Sequence, residues 1–219
     1  LVVPAMLLAF WAQINVNTTF SRYSKVLAPS GMTGAESARR VLEANGVTGV
    51  RIERISGNLT DHFDPKTNTI RLSESVYDAT TVSAVGVAAH EAGHAVQYAV
   101  GYSPMKLRAA IIPATNIGSQ LAMPLVLLGL LLSSAMLVDI GIVAFSMSTM
   151  FQLVTLPVEF NASRRAVVTL ESSCVSDTEV KGAKAVLRAA ALTYVAALAV
   201  SLASLLRIIL LFGNRNRRD

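Results

Sequence analysis

The segment His90-Glu91-Ala92-Gly93-His94 holds the residue types and spacing best suited to chemistry. Four residues of α-helix turn the chain by about 400°, so the two imidazoles stand ~40° apart on one face, where both can bind a single zinc ion. Glu91 lies beside them, where its carboxylate can take a proton from a water that such a metal polarises. With 3 histidines and 8 glutamates in 219 residues, a shuffled chain contains the pattern in only about one or two trials per thousand. The competing arrangement is a packed pair of core histidines with a surface acid. Against it stand the small residues Ala88, Ala89, Ala92 and Gly93, which are expected to leave room for metal and substrate. A glycine inside a helix costs up to ~1 kcal/mol relative to alanine, so Gly93 is expected to have a steric purpose.

A catalytic zinc site normally has three protein ligands and one open position. The third ligand is therefore His62, which is the remaining histidine, Cys174, which is the single thiol, or a carboxylate. Glu159 is the outstanding carboxylate, because it ends an apolar run where a charge is expensive unless paired or bound to metal. Its alternative is to reach the headgroup region and pair with Arg164 or Arg165. Donors to an oxyanion on the attacked carbonyl would come from His62, Arg164, Arg165 or Tyr194.

The elements that position these residues divide between water and lipid. The chain is 53% hydrophobic, and its 15% of charged residues falls well below the ~25% usual in soluble domains. Uncharged runs cover 109–138, 140–158, 189–206 and 1–21, with lengths of 30, 19, 18 and 21 residues, against the roughly 20 that a bilayer crossing needs. Four transmembrane helices follow as the expectation. Residues 1–19 read as the end of a membrane anchor and not as a signal peptide, because no convincing cleavage site follows the apolar stretch, and further residues are expected upstream because the chain does not start with Met. Residues 20–108 read as a small soluble α+β region. In it Thr33 and Glu36 form a capping box, Asn45-Gly46 closes that helix, Val50 to Ile55 and Thr69 to Leu72 are short strands, and a helix starting near Thr80 or Thr81 carries both histidines. Residues 109–158 are expected to hold two crossings joined at Asp139, 159–184 the third-ligand helix and a loop, 185–212 the last crossing, and 213–219 a basic tail. The segment Thr69–Leu72 reads either as an ordinary sheet strand or as an edge strand along which an extended peptide pairs.

The net charge of +5 does not signal nucleic acid, because the basic residues flank apolar runs instead of alternating with aromatics. Anionic lipid headgroups are the expected neighbours. One cysteine excludes an internal disulfide framework. A transporter would need more polar residues deep in its crossings than Asn116, Gln120, Asp139 and Gln152.

Around the histidine motif, His90 to Gln97 joins Leu59-Thr60-Asp61-His62-Phe63-Asp64-Pro65, Ile70-Arg71-Leu72-Ser73 and Glu159-Phe160-Asn161-Ala162-Ser163. Together with Gly31-Met32-Thr33-Gly34 and Ala114-Thr115-Asn116-Ile117-Gly118, these segments resemble the YugP-type neutral zinc metallopeptidases, small bacterial membrane proteins, over nearly the whole chain. The resemblance implies a membrane gluzincin, distantly like the HtpX-type proteases, with an α-helical membrane part and a small zincin-like (minigluzincin) catalytic domain. It implies Zn2+ held by His90, His94 and Glu159, Glu91 as general base, and peptides of membrane or membrane-adjacent proteins as substrate. The HtpX-type enzymes carry an acid four residues after the glutamate ligand, where it orients a histidine. Here that position is Ser163, a neutral group that can still hydrogen-bond an imidazole.

Both halves of such a site must share one face of the membrane, with the termini opposite. Arg22, Lys25, Lys106, Arg108, Arg164, Arg165, Lys181, Lys184 and Arg188 lie on the site's side, nine against the four of Arg207, Arg215, Arg217 and Arg218. The positive-inside rule then favours a multi-pass protein of the bacterial plasma membrane with a cytoplasm-facing site. The alternative function is a non-catalytic membrane subunit or scaffold that keeps the zinc for structure. Glu91 speaks against it, since a structural site closes with four ligands and needs no base.

Overall fold

The computed structural model describes residues 2–173 and 176–212, so Cys174 and the basic tail lie outside the described residues. The chain order is α1 (Val2–Tyr23), α2 (Gly34–Ala44), β1 (Arg51–Ile55), β2 (His62–Asp64), β3 (Thr69–Ser73), α3 (Glu74–Tyr77), α4 (Val82–Ala99), α5 (Ser103–Leu131), α6 (Ala135–Ser172) and α7 (Asp177–Phe212). These elements form two compact units. One comprises Gln13–Met105 with Pro157–Leu192; the other comprises the described residues of Leu1–Ala12, Lys106–Leu156 and Thr193–Asp219.

In the first unit, short-range sequence signals set most element ends. The Glu36 amide donates to Thr33 Oγ1 at 3.2 Å and the Thr33 amide to Glu36 Oε2 at 2.8 Å, so two orphan donors at the start of α2 are satisfied reciprocally. These bonds, that from the Thr33 backbone first, hold the Glu36 carboxyl below the usual carboxylate range. Thr81 caps α4 by a single bond, its side chain accepting from the Ala84 amide. The sheet runs in the order β1-β3-β2, with β1 parallel and β2 antiparallel to β3. Strand β3 is therefore central, with Ile70 and Leu72 fully buried, and Thr69–Leu72 is not an edge strand. Thr69 to Arg71 are paired on both sides, with β1 and with β2. The edge next to it is β2, three residues long, joined to β3 by a turn in which the Lys66 amide donates to Asp64 Oδ1 at 2.9 Å. Arg71 Nη1 also donates to Asp64 Oδ2 at 2.9 Å, and that bond, before the ones from Thr67 and Lys66, holds the Asp64 carboxyl well below its ordinary range.

Helix α4 is the centre of this unit's core. Val85, Ala88, Ala89, Ala92 and Val96 are fully buried and pack with Val41, Ile70, Leu72, Val76, Ala166 and Leu170. Its small side chains thus fill a packed interior and do not leave space for a ligand, which corrects the expectation drawn from Ala88, Ala89 and Ala92. Gly93 admits a close backbone approach: a Cβ there would lie 2.5 Å from the Ala162 carbonyl oxygen. The steric purpose of Gly93 is to let α6 lie against α4, not to make room for metal or substrate.

The second unit holds the apolar lengths of α5, α6 and α7. Among the described residues three helices, of 29, 38 and 36 residues, are long and apolar enough to cross a membrane. This differs from the four crossings expected. Helix α1 has 22 residues, but after Ala12 it carries Gln13, Asn15, Asn17, Thr18, Thr19 and Ser21, and this polar half lowers its hydropathy. The turn between α5 and α6 also differs from expectation. It falls at residues 132–134, where Ser133 takes φ 52° and the Ser134 amide donates to Gly129 O at 2.8 Å, so Asp139 lies inside α6. Small residues bring the two helices together, as is common in membranes: a Cβ on Gly118 would stand 3.0 Å from Ala144 O. Thr149 and Ser201 hydroxyls bond at 2.8 Å, joining α6 to α7.

Candidate metal centre

Every residue of the candidate site belongs to the first unit. His90 and His94 occupy successive turns of α4, and their rings meet edge to face with centroids 4.6 Å apart. Glu159 reaches them from α6, two residues after Pro157. Its Oε2 lies 3.3 Å from His90 Nε2 and 3.6 Å from His94 Nε2. Each of the three residues offers a ligand atom, and these atoms all lie within 4.8 Å of one another. Two donors each 2.0–2.2 Å from a tetrahedral zinc stand about 3.4 Å apart, so these separations and the N,N,O donor set fit that ion. Glu159 is 3% exposed and His94 8%, so the carboxylate sits where an uncompensated charge would be costly. Burial opposes a charge on His94, but the Glu159 carboxylate beside it and the charge of Glu91 outweigh that, and its imidazole holds a proton above the ordinary histidine range.

Neutral groups hold both histidines from behind. Ser163 Oγ, one turn beyond Glu159, lies 3.1 Å from His90 Nδ1, the contact expected of that position. His94 Nδ1 lies 3.0 Å from Gln97 Oε1, a partner that sequence reasoning did not identify. Its only sequence signal is the three-residue spacing, which puts Gln97 one helical turn beyond His94. Gln97 is fully buried, and its Nε2 donates to Val158 O at 2.8 Å and to Asn161 Oδ1 at 3.0 Å.

Glu91 is half-buried on α4 beside the histidines. Close to it in charge terms is Asp61, whose carboxyl is pushed up by burial, against hydrogen bonds from Ser73, with the Glu91 charge adding to the rise. Asp61 Oδ1 accepts from the Ser73 amide at 2.7 Å, which ties the segment before β2 to the end of β3. Of the remaining expected residues, His62 is exposed on β2 and its Nδ1 donates to Thr60 O at 2.8 Å, outside the ligand cluster. Arg165 Nε donates to Asn161 Oδ1 at 2.8 Å, Arg164 is exposed, and Tyr194 belongs to α7 in the other unit. Cys174, the thiol alternative for the third ligand, lies outside the described residues.

Against known proteins, the family model described as "Putative neutral zinc metallopeptidase" matches residues 1–213. The chain belongs to this family. Among curated proteins, it is 49% identical over 215 residues to the "Putative membrane protease YugP" of Bacillus subtilis (strain 168), covering 98% of this chain and 96% of that one. No solved structure matches it. The family's name implies zinc, and His90, His94 and Glu159 form a possible site for it.

Proposed function

We propose that this metallopeptidase-family member is a membrane-embedded zinc endopeptidase of the HEXXH, gluzincin type, which cuts peptide bonds of membrane or membrane-adjacent proteins. The observation that carries the reading is the meeting of three ligand atoms from two helices at tetrahedral-edge separations, with Glu91 next in sequence to one of them. His90 and His94 would bind through Nε2 and Glu159 through a carboxylate oxygen. Bound zinc supplies Lewis acidity, polarising a peptide carbonyl and acidifying water. Glu91 takes the proton of the attacking water on its carboxylate and passes it to the nitrogen of the leaving amine. No covalent bond to the protein forms. Ser163 and Gln97 orient the two imidazoles. Our reading puts the site on the cytoplasmic face of the bacterial plasma membrane, supported by the excess of basic residues near the helix ends beside it.

The test is Glu91→Gln in the full-length protein in detergent, assayed for peptide cleavage and zinc content together. Cleavage should be abolished while zinc remains at the wild-type level. Full cleavage by the variant would refute the role of Glu91 as base.

A further inference from the structure

We propose that Gln97, backed by Asn161 and Arg165, fixes which ring nitrogen of His94 carries the proton, and so leaves Nε2 to face Glu159; this builds on the metal reading of the same site. Each link of the chain forces the next. A guanidinium can only donate, so Arg165 Nε makes Asn161 Oδ1 an acceptor. Asn161 Oδ1 and the Val158 carbonyl, which can only accept, both face Gln97 at 3.0 and 2.8 Å, so the NH2 end of the Gln97 amide must point to them. Its oxygen must then point to His94 Nδ1, 3.0 Å away. An amide oxygen has no proton to give, so His94 Nδ1 must carry one.

The opposite tautomer would need the Gln97 amide to turn over. Its oxygen would then meet two further acceptors around a fully buried side chain, leaving buried polar groups unpaired. The polarity is therefore set from Arg165, three bonds away from the imidazole, and the same bonds join α4 to α6 beside Glu159. His90 is held differently. Its Nδ1 meets the Ser163 hydroxyl, which can turn to donate or accept, so the contact at that nitrogen leaves the tautomer open, while Nε2 faces Glu159 Oε2 at 3.3 Å. Glutamate could not replace Gln97, because a carboxylate has no N–H for Val158 O and Asn161. Gln97 is thus a positioning residue acting through His94.

The experiment uses the full-length protein in detergent with 15N-labelled histidine; only 3 histidines contribute signals. In metal-free wild type, at a pH alkaline enough to neutralise the ring, His94 should carry its proton on Nδ1, and the zinc-loaded protein should show the same nitrogen protonated. In Gln97→Leu the metal-free ring should move its proton to Nε2, where Glu159 is the remaining acceptor, and zinc affinity measured by chelator competition should fall about 10–100-fold. Asn161→Asp, which keeps the acceptor, should retain the wild-type tautomer. A wild-type spectrum with the proton on Nε2 overturns the proposal whether or not Gln97→Leu folds, as does a folded Gln97→Leu unchanged in either readout. Wild type with Nδ1 protonated but no zinc bound would refute the metal reading and leave the tautomer assignment standing.

Discussion

Gly93→Ala perturbs the packing that lets two helices share a ligand set. A Cβ at position 93 would lie 2.5 Å from Ala162 O and 3.1 Å from Ala162 C and Cα, where ordinary contact begins near 3.4 Å. The neighbour is backbone, so no side-chain rotation relieves the clash, and α4 and α6 must separate locally by about 1 Å on ordinary contact distances. Gly93 adjoins His94, and Ala162 lies between Glu159 and Ser163. Metal–ligand distances tolerate only about 0.2 Å, so the separation strikes binding before stability. Overpacking costs about 1–3 kcal/mol, and replacing a mid-helix glycine returns about 1 kcal/mol. Net destabilisation of about 0–2 kcal/mol should lower the melting temperature by only a few degrees, while zinc affinity falls at least tenfold, by analogy with the cost of disturbing ligand orientation. Chelator competition and thermal unfolding in detergent measure the two effects. Gly86→Ala, whose Cβ would meet Ala183 at 3.3 Å, is the control in the same helix and should leave zinc affinity unchanged. A Gly93→Ala protein that binds zinc as tightly as wild type would refute the claim that this close approach positions Glu159.

Two further outcomes follow from the structure. Ser163→Ala removes the hydroxyl from His90 Nδ1 and should weaken zinc binding by roughly tenfold without moving the proton on His94; equal affinity in competition assays would show that Ser163 does not orient the ring. Asp64 has a folded-state pKa below its unfolded one, so its stabilisation is present above about pH 4 and is lost as the pH falls through the lower, folded value. Asp64→Asn should therefore melt lower than wild type near neutrality, with the gap narrowing in acid; a gap independent of pH would contradict the Arg71 pairing.

What could be read in advance was local. The capping box of Thr33 and Glu36 needs three residues of sequence, and the facing imidazoles of His90 and His94 need four. Glu159 stands out because a charge at the end of an apolar run demands a partner, whereas Ser163 is marked only by the resemblance to the HtpX-type enzymes, which carry an acid at that place. Long-range partners left no such trace. Gln97 finds Val158 and Asn161 across 61 and 64 residues of chain, and its own spacing marks only a helical neighbour of His94. Gly93 was legible as a steric glycine but not as the contact for Ala162, because the facing surface lies on another helix. Strand β2 is too short to show an alternating pattern, and β3 becomes central only once β2 pairs with it. Asp139 drew the turn to itself as the lone charge between two apolar runs, whereas the actual reversal rests on the backbone of Ser133. Helix α1 begins with an apolar stretch, and counting uncharged residues overlooked how polar its second half is.

Metal content tests the central claim most directly: elemental analysis of the full-length protein, gently purified in detergent, with Glu159→Ala measured beside wild type. The account predicts about one zinc per wild-type chain, as a single three-ligand site requires, and little or none in the variant. Wild-type protein without zinc, or a variant that retains it fully, would contradict a site built from His90, His94 and Glu159.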